Sequence, residues 1–182
     1  MFTMKRVATR YSRMEPCSTR FLLRLAGLTR TGTLDAMNPK RLILAILAVF
    51  LGVFLTDFLI HGIWLDSSYK LTASLWRTEA EMQKHFGWLL LAQFFAAATF
   101  TVVWATGIAG SATIYCAGIY GATMGVFSQA NTLITYAVQP FPADIALKWF
   151  ASGVVRGCLM GLLVFFIYKP LTRDSKNRAI AI

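Results

Sequence analysis

The chain has 182 residues, of which 57% are hydrophobic and 14% charged, and it carries a formal net charge of +10. That length fits one domain, and the apolar excess lies in long runs, which excludes an ordinary soluble domain and indicates a membrane protein. Nine of the eighteen Lys and Arg residues fall within the first 41 positions and four follow Tyr168. Basic ends around apolar spans are a topology signal, so the expected partner is the lipid bilayer and nucleic acid is set aside.

Residues 1–36 form a basic, acid-poor extension whose short apolar stretch, "FLLRLAGL", is interrupted by Arg24. It is too short and too charged for a secretory signal core. A transit peptide or a basic amphipathic helix on anionic lipid fits its composition. The alternative is that it is disordered or precedes the native start, because "MNPKRLILAILAVF" from Met37 itself reads as a start before a first span. Four spans follow, at about residues 42–65, 86–107, 112–138 and 145–168. Each is close to the ~20 residues that cross the hydrocarbon core. The links "GIAGSA" and "QPFPAD" are short, so the chain is expected to be an all-α, integral membrane four-helix bundle over residues 37–169 with a basic tail, 170–182. The basic ends make both termini cytoplasmic, which puts Trp64, Trp76, Trp88 and Trp149 at the outer interface. Helical rather than barrel spans point to a bacterial inner membrane.

The loop between the first two spans contains "TEAE", a capping box in which Thr78 caps and Glu81 reaches back, so a helix is expected from about Glu79. Cys17, Cys116 and Cys158 are odd in number and form no CxxC pair. They support neither a disulfide framework nor a thiolate zinc site.

Polar residues stand inside the spans. In "LTDFLIHGIW", Asp57 and His61 are four apart on one helical face. At 1.5 Å per residue, Asp57 lies roughly 12 Å inside the outer end of span one and Arg156 roughly 15 Å inside that of span four. The matching depths predict an ion pair or shared hydrogen-bond network, because charges at such depth seek partners. Gln93 and Gln129 fall in the same outer half. Asp57, His61, Gln93, Gln129 and Arg156 are therefore the expected buried polar network, serving either as structural glue or as a proton relay. Two carboxylate–His pairs at i, i+4, Asp57/His61 and Glu81/His85, are the residues a transition metal would use if the helices brought them together. No cofactor or metal is assigned. No GxSxG, HExxH, rhomboid-like Ser–His pair or glycine-rich phosphate loop is present, so an enzyme is not expected.

Small residues repeat along two spans: Gly118, Gly121 and Gly125 on the third, Gly153, Gly157 and Gly161 on the fourth. Such stripes let backbones approach, either within the bundle or against a partner's helix. The outline "IHGIWL…Y…LW…EAEM…FGWLLLAQF" followed by two glycine-rich spans resembles small uncharacterised four-span integral membrane proteins of bacteria, over about residues 37–168. The resemblance implies the fold and carries no activity. Two functions are carried forward. One is a non-catalytic accessory or scaffold subunit that packs against other transmembrane helices, in a homo-oligomer or a larger membrane complex. The other is a small proton- or ion-linked transporter using Asp57, His61 and Arg156, with a metal-binding membrane protein behind both.

Overall fold

The structure, a computed structural model, describes residues 38–168; the basic extension, Cys17 and the C-terminal tail lie outside the described residues. Helix α1, Pro39–Asp57, starts where Asn38 accepts the Arg41 N–H at 3.2 Å and Pro39 takes the first helical position. It runs on as π-helical turns over Phe58–Trp64. A short helix α2, Asp66–Leu71, and a 3-10 turn, Ala73–Leu75, form the following loop. Helix α3, Glu79–Val103, opens on the capping box read from the sequence, with both reciprocal Thr78–Glu81 bonds at 3.4 Å, and also ends in π-helical turns, Trp104–Ile108. Helix α4, Ile114–Val138, is capped by Thr113, and α5, Ala143–Ile167, follows Pro142.

The protein is all-α, and among the described residues three helical stretches are long and apolar enough to cross a membrane: Pro39–Trp64, Glu79–Ile108 and Ala143–Ile167. Helix α4 matches them in length but not in hydropathy, because Gln129, Asn131 and several hydroxyl residues interrupt its apolar sequence.

The closest helix pair is α4 with α5, while α1 packs on α3 and on α5. The glycines explain the close pair. Gly121 and Gly125 face the backbone of Gly153, Val154 and Gly157, and Gly161 faces Ala117 and Gly121. The stripe on α4 is thus Ala117, Gly121 and Gly125, spaced by four. Gly118 does not belong to it: a Cβ there would meet nothing within 4 Å. At 100° per residue Gly118 is turned roughly 100° from Ala117 and roughly 60° from Gly121, its neighbours at that depth, and so stands off the contact there.

Two apolar clusters hold the helices. One joins Val49 of α1, Ala97 of α3, Tyr120 of α4 and Val164 of α5 toward the end of the molecule where Asn38 and Tyr168 lie, the terminal end. The other, at the opposite or loop end, packs Phe141, Ile145 and Ala146 with Tyr69, Trp76 and Trp149. A polar layer lies between them.

Candidate functional site

The polar layer begins at Asp57, the last residue of α1. Arg156, midway along α5, forms an ion pair with its Oδ1, and Gln93, midway along α3, donates from Nε2 to its Oδ2 at 2.8 Å. Three helices meet at one carboxylate. The Arg156 and Asp57 side chains are only 21% and 19% exposed, so neither charge is left without its partner in a dry place. Gln93 Oε1 is buried and has no hydrogen-bond partner.

The other two members of the expected network stand nearby and make different bonds. Gln129 on α4 accepts from the Thr132 hydroxyl at 2.6 Å through Oε1, and its side chain lies over Gly153, where there is no Cβ to obstruct it. The sequence spacing put His61 on the Asp57 face. In the structure the helix widens into π-helical turns after Asp57, and His61 Nδ1 lies 2.5 Å from the Tyr69 hydroxyl of α2. Tyr69 also accepts the Trp149 indole N–H at 2.7 Å. With its oxygen engaged as an acceptor, the Tyr69 O–H is free to donate to Nδ1, and in that arrangement a neutral His61 carries its proton on Nε2.

Asp57, His61, Gln129, Thr132, Ser152 and Arg156 line one cavity of about 190 Å³. A second cavity, about 370 Å³ and apolar, lies toward the terminal end between α3 and α4; its walls include Ala96, Phe100, Met124 and Ser128. The two adjoin along α5, where both are lined by Gly153 and Arg156.

No family model, curated protein or solved structure matches the chain.

The four residues weighed for a metal are not gathered. His85 contacts the Glu81 backbone carbonyl at 2.8 Å and Arg77 at 3.3 Å, and among the described residues no three His, Cys, Asp or Glu side chains could hold a metal ion together. Glu81 is instead occupied with the cap of α3.

Several residues of the site gave no sequence signal. Tyr69 sits in the hydrophilic stretch "DSSYK", and its role depends on α2 folding back over the loop end. That fold-back is held by Lys148, which donates to Ser68 at 3.2 Å, and by tilted ring contacts of Tyr69 and Trp76 with Trp149. Burial among these rings pushes the Tyr69 hydroxyl up to about 12, against the opposing pull of the Trp149 hydrogen bond.

Proposed function

We propose that the chain is a multi-pass protein of a bacterial inner membrane, crossing four times with both termini cytoplasmic, and that it acts as a non-catalytic accessory subunit docking against other transmembrane helices. One observation carries this reading: the polar layer is a tie between helices, with both Asp57 oxygens engaged by Arg156 and Gln93. Toward the terminal end the layer is followed by close glycine contacts and by Trp104, Val164 and Ala117, all buried. The glycine stripes engage each other, so a partner helix would lie on the exposed apolar flanks, such as Leu51 and Leu55 of α1 or Val155 and Leu159 of α5. Gln129 lies over Gly153 of α5 and need not meet lipid, which supports counting α4 as a fourth span.

The test is mass analysis of the intact particle after gentle detergent extraction of the tagged protein. A stoichiometric assembly with other membrane subunits is expected. A homo-oligomer with nothing attached would favour the second reading, proton-linked transport through Asp57, His61 and Arg156. That reading is supported by the hydrogen bond between Tyr69 of α2 and His61, which joins the loop end to the polar cavity. Asp57→Asn combined with Arg156→Gln separates the two: an accessory subunit keeps its assembly, and a proton-coupled carrier loses solute uptake.

A further inference from the structure

The polar cavity has an imbalance of donors. Both oxygens of its one carboxylate, Asp57, are taken. Gln129 Oε1 is taken by Thr132, which leaves its amide N–H groups. Arg156 presents five N–H donors and gives Asp57 only part of them. With Tyr69 donating to Nδ1, the free N–H of His61 is at Nε2. The Ser152 hydroxyl donates to the Trp149 carbonyl at 3.1 Å and keeps its lone pairs. Guanidinium, amide and imidazole N–H groups thus line a space of about 190 Å³ in which both carboxylate oxygens are already occupied. Such a space selects an acceptor, and an anionic acceptor most strongly.

The apolar cavity adds the second half of the argument. It continues from the same Arg156 and Gly153 toward the terminal end, between helices that meet mainly around Tyr120, Phe100 and Trp104. Its larger volume, about 370 Å³, suits a hydrocarbon chain, while the smaller polar one suits a compact head group. A polar site at the loop end followed by an apolar slot toward the bilayer centre is the orientation of an outer-leaflet amphiphile. We propose that the two cavities hold one single-chain lipid, a long-chain carboxylate, with its head against Arg156, Gln129 and His61 and its chain between α3 and α4. This assignment rests on the membrane-spanning reading and adds a ligand to it.

The test uses the full chain reconstituted in phosphatidylcholine vesicles with spin-labelled stearic acid, and the readout is the motionally restricted fraction of the label. Flotation after an alkaline wash reports insertion separately. Stearate is expected to bind about tenfold more tightly than its methyl ester, the difference that charge-assisted hydrogen bonds to one head group supply. Ser152→Phe, which fills the polar cavity and leaves the Asp57–Arg156 pair in place, should lose that preference. Ala96→Phe, in the wall of the apolar slot, should weaken both probes. Leu147→Phe, on the exposed face of α5, should change neither. Equal binding of acid and ester, or Ser152→Phe and Ala96→Phe variants that bind like the original chain, would overturn the proposal. Stronger retention of spin-labelled phosphatidic acid would overturn the carboxylate head in favour of a phosphate. A chain lost from the vesicles would overturn the membrane-spanning reading, and this assignment with it.

Discussion

Gly125 of α4 and Val154 of α5 are so close that a methyl group added to Gly125 would lie 2.9 Å from the Val154 Cα, nearer than real side-chain carbons approach backbone. Seven residues earlier on the same helix, Gly118 has nothing within 4 Å of the same added atom. The two glycines should therefore respond to alanine with opposite signs. Gly125→Ala has to separate α4 from α5 and should cost about 1–3 kcal/mol. Gly118→Ala only relieves the conformational penalty of glycine within a helix and should gain about 0.5–1 kcal/mol. Thermal unfolding in detergent is expected to show a lowered Tm for the first and an unchanged or raised Tm for the second. A lowered Tm for both would mean that Gly118 also packs against a helix.

The Asp57–Arg156 pair should show strong coupling rather than two separate contributions. Asp57→Ala leaves the Arg156 guanidinium unpaired at low exposure, and breaking a buried pair from one side costs about 3–5 kcal/mol. Removing both charges, with Asp57→Asn and Arg156→Gln, should recover most of that loss, because neither leaves an isolated charge. A double-mutant cycle built from Asp57→Asn and Arg156→Gln, measured by denaturant unfolding, is expected to give a coupling of about 3 kcal/mol or more, since each single substitution strands a charge that the double one does not. Gln93→Leu removes only a supporting hydrogen bond to a charged group and should cost about 1.5–3 kcal/mol. Additive losses from the two charge substitutions would show that the side chains act independently.

At the loop end, pH acts through Tyr69. Burial holds its hydroxyl at about 12, above the ordinary value of 10. A group whose pKa rises on folding favours the folded state while it stays protonated, so this contribution is complete below pH 10 and is lost as pH climbs through 10 toward 12. Ultraviolet titration should show a tyrosine step near pH 12 that belongs to Tyr69, accompanied by loosening of the Tyr69, Trp76 and Trp149 cluster in tryptophan fluorescence. Tyr69→Phe removes the late step and should also remove the pH dependence of the fluorescence in that window. Fluorescence that loosens identically without the hydroxyl would assign the effect to another group.

The sequence carried the parts of this fold that depend on local chemistry. Asn38 before Pro39 and Thr78 before Glu81 are caps that act within one turn, and both are formed. The pairing of depths that set Asp57 opposite Arg156 follows from the fixed rise of a helix, and the two side chains meet. Rotation about the helix axis was harder to read. Gly118 and Gly121 differ by three positions, and only the position of α5 decides which of them faces it. His61 keeps to the cavity that Asp57 lines, but its hydrogen bond goes to Tyr69, a partner beyond the first span to which helical spacing does not point. Tyr69 could not be found from spacing at all, because α2 reaches Trp149 through a fold-back between residues 80 positions apart.

Helix α4 departs from the other long helices in hydropathy. Gln129 and Asn131 make this helix less apolar than the other three, yet the Gln129 side chain lies over Gly153 of α5, away from the lipid side. Helices of this kind can be held in a bilayer by their neighbours, where interhelical contacts replace the hydrophobicity they lack. If α4 crosses, the segments at its two ends lie on opposite sides of the membrane. In a chain with its three native cysteines replaced by alanine, Gln139→Cys should react with a membrane-impermeant thiol reagent added from the outer side, and Ala112→Cys only from the cytoplasmic side. Adding Gly153→Leu, which displaces Gln129, should weaken the α4–α5 contact and make the two positions less distinct. Reaction of both cysteines from one side in the unaltered background would mean that α4 does not cross, leaving three spans and placing the C-terminus opposite to the N-terminus.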